Sequence, residues 1–244
     1  MAKILILGGT VEARQLADML AGDERFELIF SLAGRTSNPL VPKCEVRSGG
    51  FGGADGLADF LEDKGVDILV DATHSFADRI TQNAATASAA TGTPCLRLER
   101  KAWVREAGDD WAFVASVEEA AQHLPKGARA LVTVGRQEIE PFFDRLDIKI
   151  IARMIEPPEK KPLAPHKVLR NRPPYELQDE RMLMRIEHIS HLVSKNSGSE
   201  ATAAKLQAAR ELQIPVIMIA RPDAPRLPTA HTAQAMARLI EETI

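Results

Sequence analysis

Short apolar runs alternate along this chain with stretches of helical periodicity, and that alternation restricts the fold more than any other feature. ILIL, FELIFSL, VDILVD, TPCLRL, ALVTV, IKIIARM and IPVIMIA are each of strand length. A strand covered on both faces reads as a nearly continuous apolar run, whereas a half-exposed one alternates. Between these runs lie segments such as VEARQLADML, ADGLADFLEDKG, SVEEAAQHL, EATAAKLQAARELQ and TAHTAQAMARLIEETI, which space their apolar residues as helices do. Gly65 stands where a helix would close, and Ser116 with Glu119 forms a capping-box pattern. The repetition predicts an α/β fold, with parallel sheets covered by helices. It breaks at KAWVREAGDD, which is polar and irregular, and resumes at WAFVA. Two domains follow from that break, residues 1–110 and 111–244. The proline-rich stretch EPPEKKPLAPHKVLRNRPPY resists regular structure and reads as a surface loop or lid.

Composition narrows the function classes. The 244 residues can bury one large core or two small ones. A net charge of -3 argues against a general nucleic-acid or membrane-surface binder, and leaves room for a local basic pocket. No apolar run is long enough to span a bilayer, and no signal peptide is visible, so the expected compartment is cytoplasmic. Cys44 and Cys95 lack metal or redox spacing; no metal is expected, and Cys95 reads as packing.

In open parallel sheets, ligands gather at the carboxyl ends of the strands. Five stretches fall there. Gly8-Gly9-Thr10 separates the first strand from a helix whose inner face is read as Val11, Leu16, Ala17 and Leu20. Thr10 suits an N-cap, and the turn suits a pyrophosphate, although a ligand-free turn has the same pattern. Gly8, Thr10 and Ala13 occupy the three glycine places of G-x-G-x-x-G. The second strand ends at Ser31 without the acid that binds an NAD ribose; Gly34, Arg35 and Thr36 follow. An arginine there suits a 2′-phosphate, hence NADPH, or is a solvated loop residue. Gly50, Phe51 and Gly52 form a loop able to bring backbone N–H groups to a nucleotide, or a simple turn before a helix. Thr73 and His74 lie just past a buried strand; His74 either orients a ligand and relays a proton or sits in a structural hydrogen bond. Lys195, Asn196, Ser197 and Gly198 end a strand, cap a helix and suit a carboxylate or phosphate at its N-terminus, with Arg136 and Arg153 near other strand ends. A surface ion pair is the other reading of each arginine. Ser-His-Asp order, H-E-x-x-H, C-x-x-C and Walker A patterns are missing, which favours a reductase over a hydrolase.

Taken together, ILILGGTVEARQLA, SLAGRT, VRSGGFGGADGLADFL, DATHSFADRITQNA, LRLER-x-AW, TVGRQEIEPFF, RMIEPP and SKNSGSEATAAKLQAARELQIPVIMIARP resemble the precorrin-6A reductase family of corrin (vitamin B12) biosynthesis. The resemblance spans almost the whole chain. It departs at Ser75, where the family usually has proline, and at Arg172-Pro173-Pro174-Tyr175, where R-G-P-F is frequent. It implies two Rossmann-like domains with a cleft between them. NADPH would lie on the first, and Arg136, Arg153 and Lys195 of the second would hold the carboxylate arms of a tetrapyrrole substrate. The implied reaction is hydride transfer to a ring double bond of precorrin-6A, giving precorrin-6B. His74 is the one candidate proton donor, with solvent the alternative. Transient contact with neighbouring pathway enzymes fits such a role. Competing readings are a cobalt-precorrin-6A reductase of the anaerobic route, a non-catalytic dinucleotide-binding sensor, and a tetrapyrrole-binding transferase or synthase.

Overall fold

The structure, a computed structural model, describes residues 1–34 and 40–244. Its strands in chain order are β1 (Ala2–Leu7), β2 (Phe26–Leu32), β3 (Glu45–Ser48), β4 (Ile68–Asp71), β5 (Cys95–Leu98), β6 (Trp111–Val114), β7 (Arg129–Val132), β8 (Lys149–Met154), β9 (Lys167–Arg170), β10 (His191–Lys195), β11 (Val216–Ile219) and β12 (Thr229–Ala230). The helices are α1 (Val11–Leu20), α2 (Ala54–Lys64), α3 (Asp78–Thr91), α4 (Val117–His123), α5 (Glu140–Phe143), α6 (Leu177–Ile186), α7 (Ala204–Glu211) and α8 (Ala233–Thr243).

Two parallel sheets result, one ordered β3-β2-β1-β4-β5-β12 and the other β9-β8-β7-β10-β11-β6. Each is doubly wound. In the first sheet β1, β2 and β3 run outward from the centre, and the chain then returns to build the other side; in the second, β7, β8 and β9 do the same, and β10 and β11 fill the other side up to β6, the edge strand made first. The order therefore reverses between β1 and β4 in one sheet and between β7 and β10 in the other. Those two crevices are where such sheets hold ligands.

The apolar runs become strands because both of their faces are covered. Ile4 and Ile6 of β1 pack with Leu16, Leu20, Phe30, Met236 and Ile240, under α1 and α8. Leu5 and Leu7 of the same strand pack with Leu57, Leu61, Ala84 and Ala87, under α2 and α3. Full burial of one such Leu or Ile contributes about 1.5–3 kcal/mol. In the second unit, Leu131, Ile151, Leu192 and Met218 meet Met184, Leu206 and Ala209 in the same way. Local signals hold as well. Ser116 Oγ accepts from Glu119 N–H at 3.1 Å, and Glu119 reaches back to Ala115 N–H at 2.7 Å.

Three features differ from the sequence reading. Val11 is exposed, and Ala13 takes its place on the buried face of α1. The proline-rich stretch contains β9, an edge strand paired with β8. The chain also divides differently: Met1–Lys101 and Pro222–Ile244 form one unit, and Ala102–Arg221 the other. The boundary expected at 110 lies at 101, and residues 222–244, expected in the second domain, return to the first. The cause is pairing of Thr229 and Ala230 with Arg97 and Leu98, and packing of α8 beside α1 in the first core.

Candidate functional site

The turn after β1 opens the crevice of the first sheet. Gly8 is glycine for packing: a Cβ there would lie 2.3 Å from Cζ of Phe30. Gly9 differs. Its φ is +126°, and no atom lies within 4 Å of where its Cβ would be. Backbone is thus bare at the point where a ligand must come close. Thr10 Oγ1 accepts from Ala13 N–H at 3.1 Å and donates to the Ala72 carbonyl at 2.9 Å. It caps α1 and also ties the end of β1 to the end of β4. The N–H groups of the first turn of α1 are fixed beside the crevice, where they favour an anion.

Past β4, the DATH turn is shaped by Asp71. Its carboxylate is buried in an ion pair with Arg97 and accepts from Thr73 N–H at 3.1 Å and Thr73 Oγ1 at 2.7 Å. Arg97 also donates to Thr81 Oγ1 at 2.8 Å and to Glu99 at 3.0 Å. Thr73 is therefore engaged in holding the turn. His74 Nδ1 accepts from Phe76 N–H at 3.3 Å, which puts the ring proton on Nε2. The structural reading of His74 describes its Nδ1 side. Ser75 is buried, and α3 starts only at Asp78. Cys95, in β5 beside this turn, has its thiol pushed up to about 12 by burial and the neighbouring Asp71 charge.

At the ends of β2 and β3, Ser31 Oγ accepts from Arg47 at 2.7 Å. The same guanidinium donates to the carbonyls of Gly49 and Gly50, both at 3.2 Å, and lies 3.9 Å from the centre of the Phe51 ring. Phe51 is packed edge-on against Phe60 at 5.1 Å, so it forms an apolar wall. Gly52 belongs to this loop, and Gly34 faces Ser48 across the strand ends. Arg35 and Thr36 lie outside the described residues. Sequence reasoning passed over Arg47, since an arginine in EVRS reads as the exposed side of an edge strand.

The crevice of the second sheet gathers Arg136, which opens a 3-10 turn after β7, Lys195, which ends β10, and Asn196 to Gly198, which follow it. Lys195 pairs with Glu138. Asn196 is a clamp: its Oδ1 accepts from Trp103 N–H at 2.8 Å and its Nδ2 donates to the Trp103 carbonyl at 3.2 Å. Ser197 is buried, and its N–H turns back to the Lys195 carbonyl at 2.8 Å. The expectation that this stretch caps a helix is not met. A 3-10 turn, Glu200–Thr202, intervenes, and α7 starts at Ala204 with no side-chain cap. Arg153 stands one strand further out, at the end of β8. It is buried in an ion pair with Glu180 and stacked 3.8 Å from the centre of the Tyr175 ring. These groups border a cavity of about 480 Å³ that Asn171 and Asp179 also line. Among the described residues, Arg153 Nη2 and Glu180 Oε2 find no hydrogen-bond partner.

One residue that sequence reasoning missed is Lys205 of α7. It is 4% exposed; its Nζ donates to Thr133 Oγ1 at 3.1 Å and lies 5.3 Å from the Trp103 ring centre. Burial pulls its pKa down to about 7, Arg153 adding to the effect and Glu180 opposing it. The signal was its spacing, which places it with Ala201, Ala208 and Leu212 on one helical stripe.

Strand order, bare glycine turn and capped helix define a doubly wound α/β protein of the Rossmann type. The chain belongs to the precorrin-6x reductase family CbiJ/CobK, whose family model matches residues 3–241. It is 46% identical over 242 residues to the precorrin-6A reductase of Rhodococcus erythropolis, covering 98% of this chain and 96% of that one. A solved structure of CobK precorrin-6A reductase superposes with a TM-score of 0.93 at 38% identity, covering 100% of this chain and 97% of that one. The cobalt-precorrin-6A reductase of Priestia megaterium is 29% identical, covering 90% of each chain. Among the described residues, no helix is long and apolar enough to cross a membrane.

Proposed function

We propose that this protein is an NADPH-dependent reductase of metal-free precorrin-6A in cobalamin biosynthesis, with the cofactor on the first unit and the carboxylate arms of the macrocycle on the second. Similarity along the whole chain to precorrin-6A reductases supports the reaction. The lower identity to a cobalt-precorrin relative favours the metal-free substrate. One observation carries the cofactor's place: the bare Gly9 backbone at the β1/β4 crevice, next to a helix N-terminus that Thr10 holds.

A nicotinamide cofactor, when bound, supplies a hydride. The chain's contribution is binding, orientation and exclusion of water. The first-turn N–H groups of α1 meet the pyrophosphate. β2 ends Ser31-Leu32 and Ala33 follows, with no acid there to repel a 2′-phosphate. In the second unit, Arg136 and Lys195 meet acetate and propionate arms, and the Asn196-Ser197-Gly198 loop shapes their place. Arg153 is the weakest of the three bases for this purpose: Glu180 meets its charge, as Glu138 meets that of Lys195, and it alone of the three is buried. His74 can offer Nε2–H toward the reaction, while its Nδ1 keeps the turn in shape. The test is absorbance of the reduced nicotinamide on mixing enzyme, NADPH and macrocycle. Oxidation matched to macrocycle reduced, and none without it, is expected. Failure with the metal-free macrocycle alongside turnover of the cobalt form would reverse the substrate assignment; no turnover with either would end the reading.

A further inference from the structure

We propose that Arg47 is the residue that reads the adenosine 2′-phosphate, and so selects NADPH over NADH. The inference rests on the nicotinamide reading above. In parallel register, Arg47 of β3 stands opposite Ser31, at the end of β2. In sheets of this strand order, the adenosine ribose lies at the end of the second strand.

The guanidinium there is built into place. A guanidinium has five N–H donors. Two on Nη1 go to Ser31 Oγ and the Gly49 carbonyl, and one on Nη2 goes to the Gly50 carbonyl. Among the described residues, Nε–H and one Nη2–H are left over. These are neighbouring donors, and a phosphate takes such a pair as a fork. The Phe51 ring under the guanidinium fixes its plane, and Phe60 fixes the ring.

Its charge, in contrast, is unmet. Arg97 and Arg100 of the same unit each hold a carboxylate. Among the described residues, Arg47 touches only neutral oxygens and aromatic faces. Partial burial lowers its pKa, and no neighbouring anion raises it. A partly desolvated cation held in place without a counter-charge gains when an anion arrives. The anion must be one that shares the site with an adenosine, because Gly9 and the start of α1 are set for the pyrophosphate of the same molecule. A ribose 2′-phosphate meets both conditions.

The probes are adenosine 2′,5′-bisphosphate and 5′-AMP, which differ by the 2′-phosphate alone, titrated calorimetrically into the full chain. Wild type should bind the bisphosphate more tightly. Arg47→Gln should weaken the bisphosphate by about ten- to hundredfold, the scale of a charge-assisted fork, and change 5′-AMP less than about twofold. Retained 5′-AMP binding also shows that the variant is folded. Arg47→Lys should fall between, since it keeps the charge without the fork. If Arg47→Gln lowers both probes equally, or neither, the assignment to Arg47 is overturned while the reductase reading stands. If wild type binds neither probe, the dinucleotide site itself is wrong, and the inference goes with it.

Discussion

Lys205 gives a stability prediction with a definite sign. Its ammonium is buried, donates to Thr133 Oγ1, and has its pKa pulled from 10.5 to about 7. The unfolded chain keeps this proton up to about pH 10.5, and the folded chain only up to about pH 7. Between those values the unfolded state binds more protons, so stability rises with pH. At about 1.4 kcal/mol per pH unit, the buried ammonium costs the fold on the order of 4–5 kcal/mol at pH 7. About 2 kcal/mol of that should return between pH 7 and pH 9. Lys205→Met removes the titrating group while keeping an unbranched side chain of similar length. The experiment is urea unfolding of both proteins at pH 7, 8 and 9. Lys205→Met should be the more stable at pH 7, and its advantage should shrink by about 2 kcal/mol by pH 9. Cys95 works in the opposite direction above about pH 9, since its folded thiol stays protonated to about 12. It is common to both proteins and cancels in the comparison. A difference that stays constant to within about 0.5 kcal/mol across this range would show that Lys205 does not titrate as argued.

Three further outcomes are expected. Gly8→Ala should destabilise the protein without any ligand, by about 1–3 kcal/mol on urea unfolding, because its methyl meets the Phe30 ring; Phe30→Leu in the same chain should recover part of the loss. Thr10→Val loses the cap and the bond to Ala72, and should cost about 1–2 kcal/mol in the same assay; a change under about 0.5 kcal/mol would count against the bridge across the crevice. Lys195→Ala should weaken macrocycle binding by about tenfold and leave NADPH within about twofold, as titrations of each ligand can show. The reverse pattern would move the cofactor onto the second unit.

Much of the architecture was readable because a strand covered on both faces must be apolar throughout. Ile4 to Leu7 and Val216 to Ile219 state their place directly. The first crevice was readable for a similar local reason: Gly8-Gly9-Thr10 is a turn, and Thr10 does cap the helix that follows. β9 was missed because its burial is partial, its edge needs no apolar face, and prolines flank it. The return of residues 222–244 to the first sheet was missed because β12 has two residues and its partner lies more than a hundred positions away. No local pattern encodes a pairing at that distance. The same holds for side chains. KNSG was visible as a polar turn, but its Asn196 being spent on the Trp103 backbone, and Lys195 on Glu138, depends on which loops the sheet brings together. Arg47 and Lys205 are each held by neutral oxygens beside an aromatic ring, a property of the folded surroundings that the sequence does not display.

The position of β12 has a consequence for how the molecule is made. On a ribosome, Ala102–Arg221 is delivered in one continuous stretch, with every strand of its sheet present before Thr229 is added. The earlier-made part must wait. Until the last segment emerges, β5 shows an unpaired edge, and Leu16 and Leu20 of α1 lack the cover that Met236 and Ile240 provide. The unit begun first is therefore finished last, against the usual order in which the leading domain folds ahead of the trailing one. A fragment ending at Arg221 and released from the ribosome should already protect the later unit from protease while the glycine turn of the earlier one is still being cut.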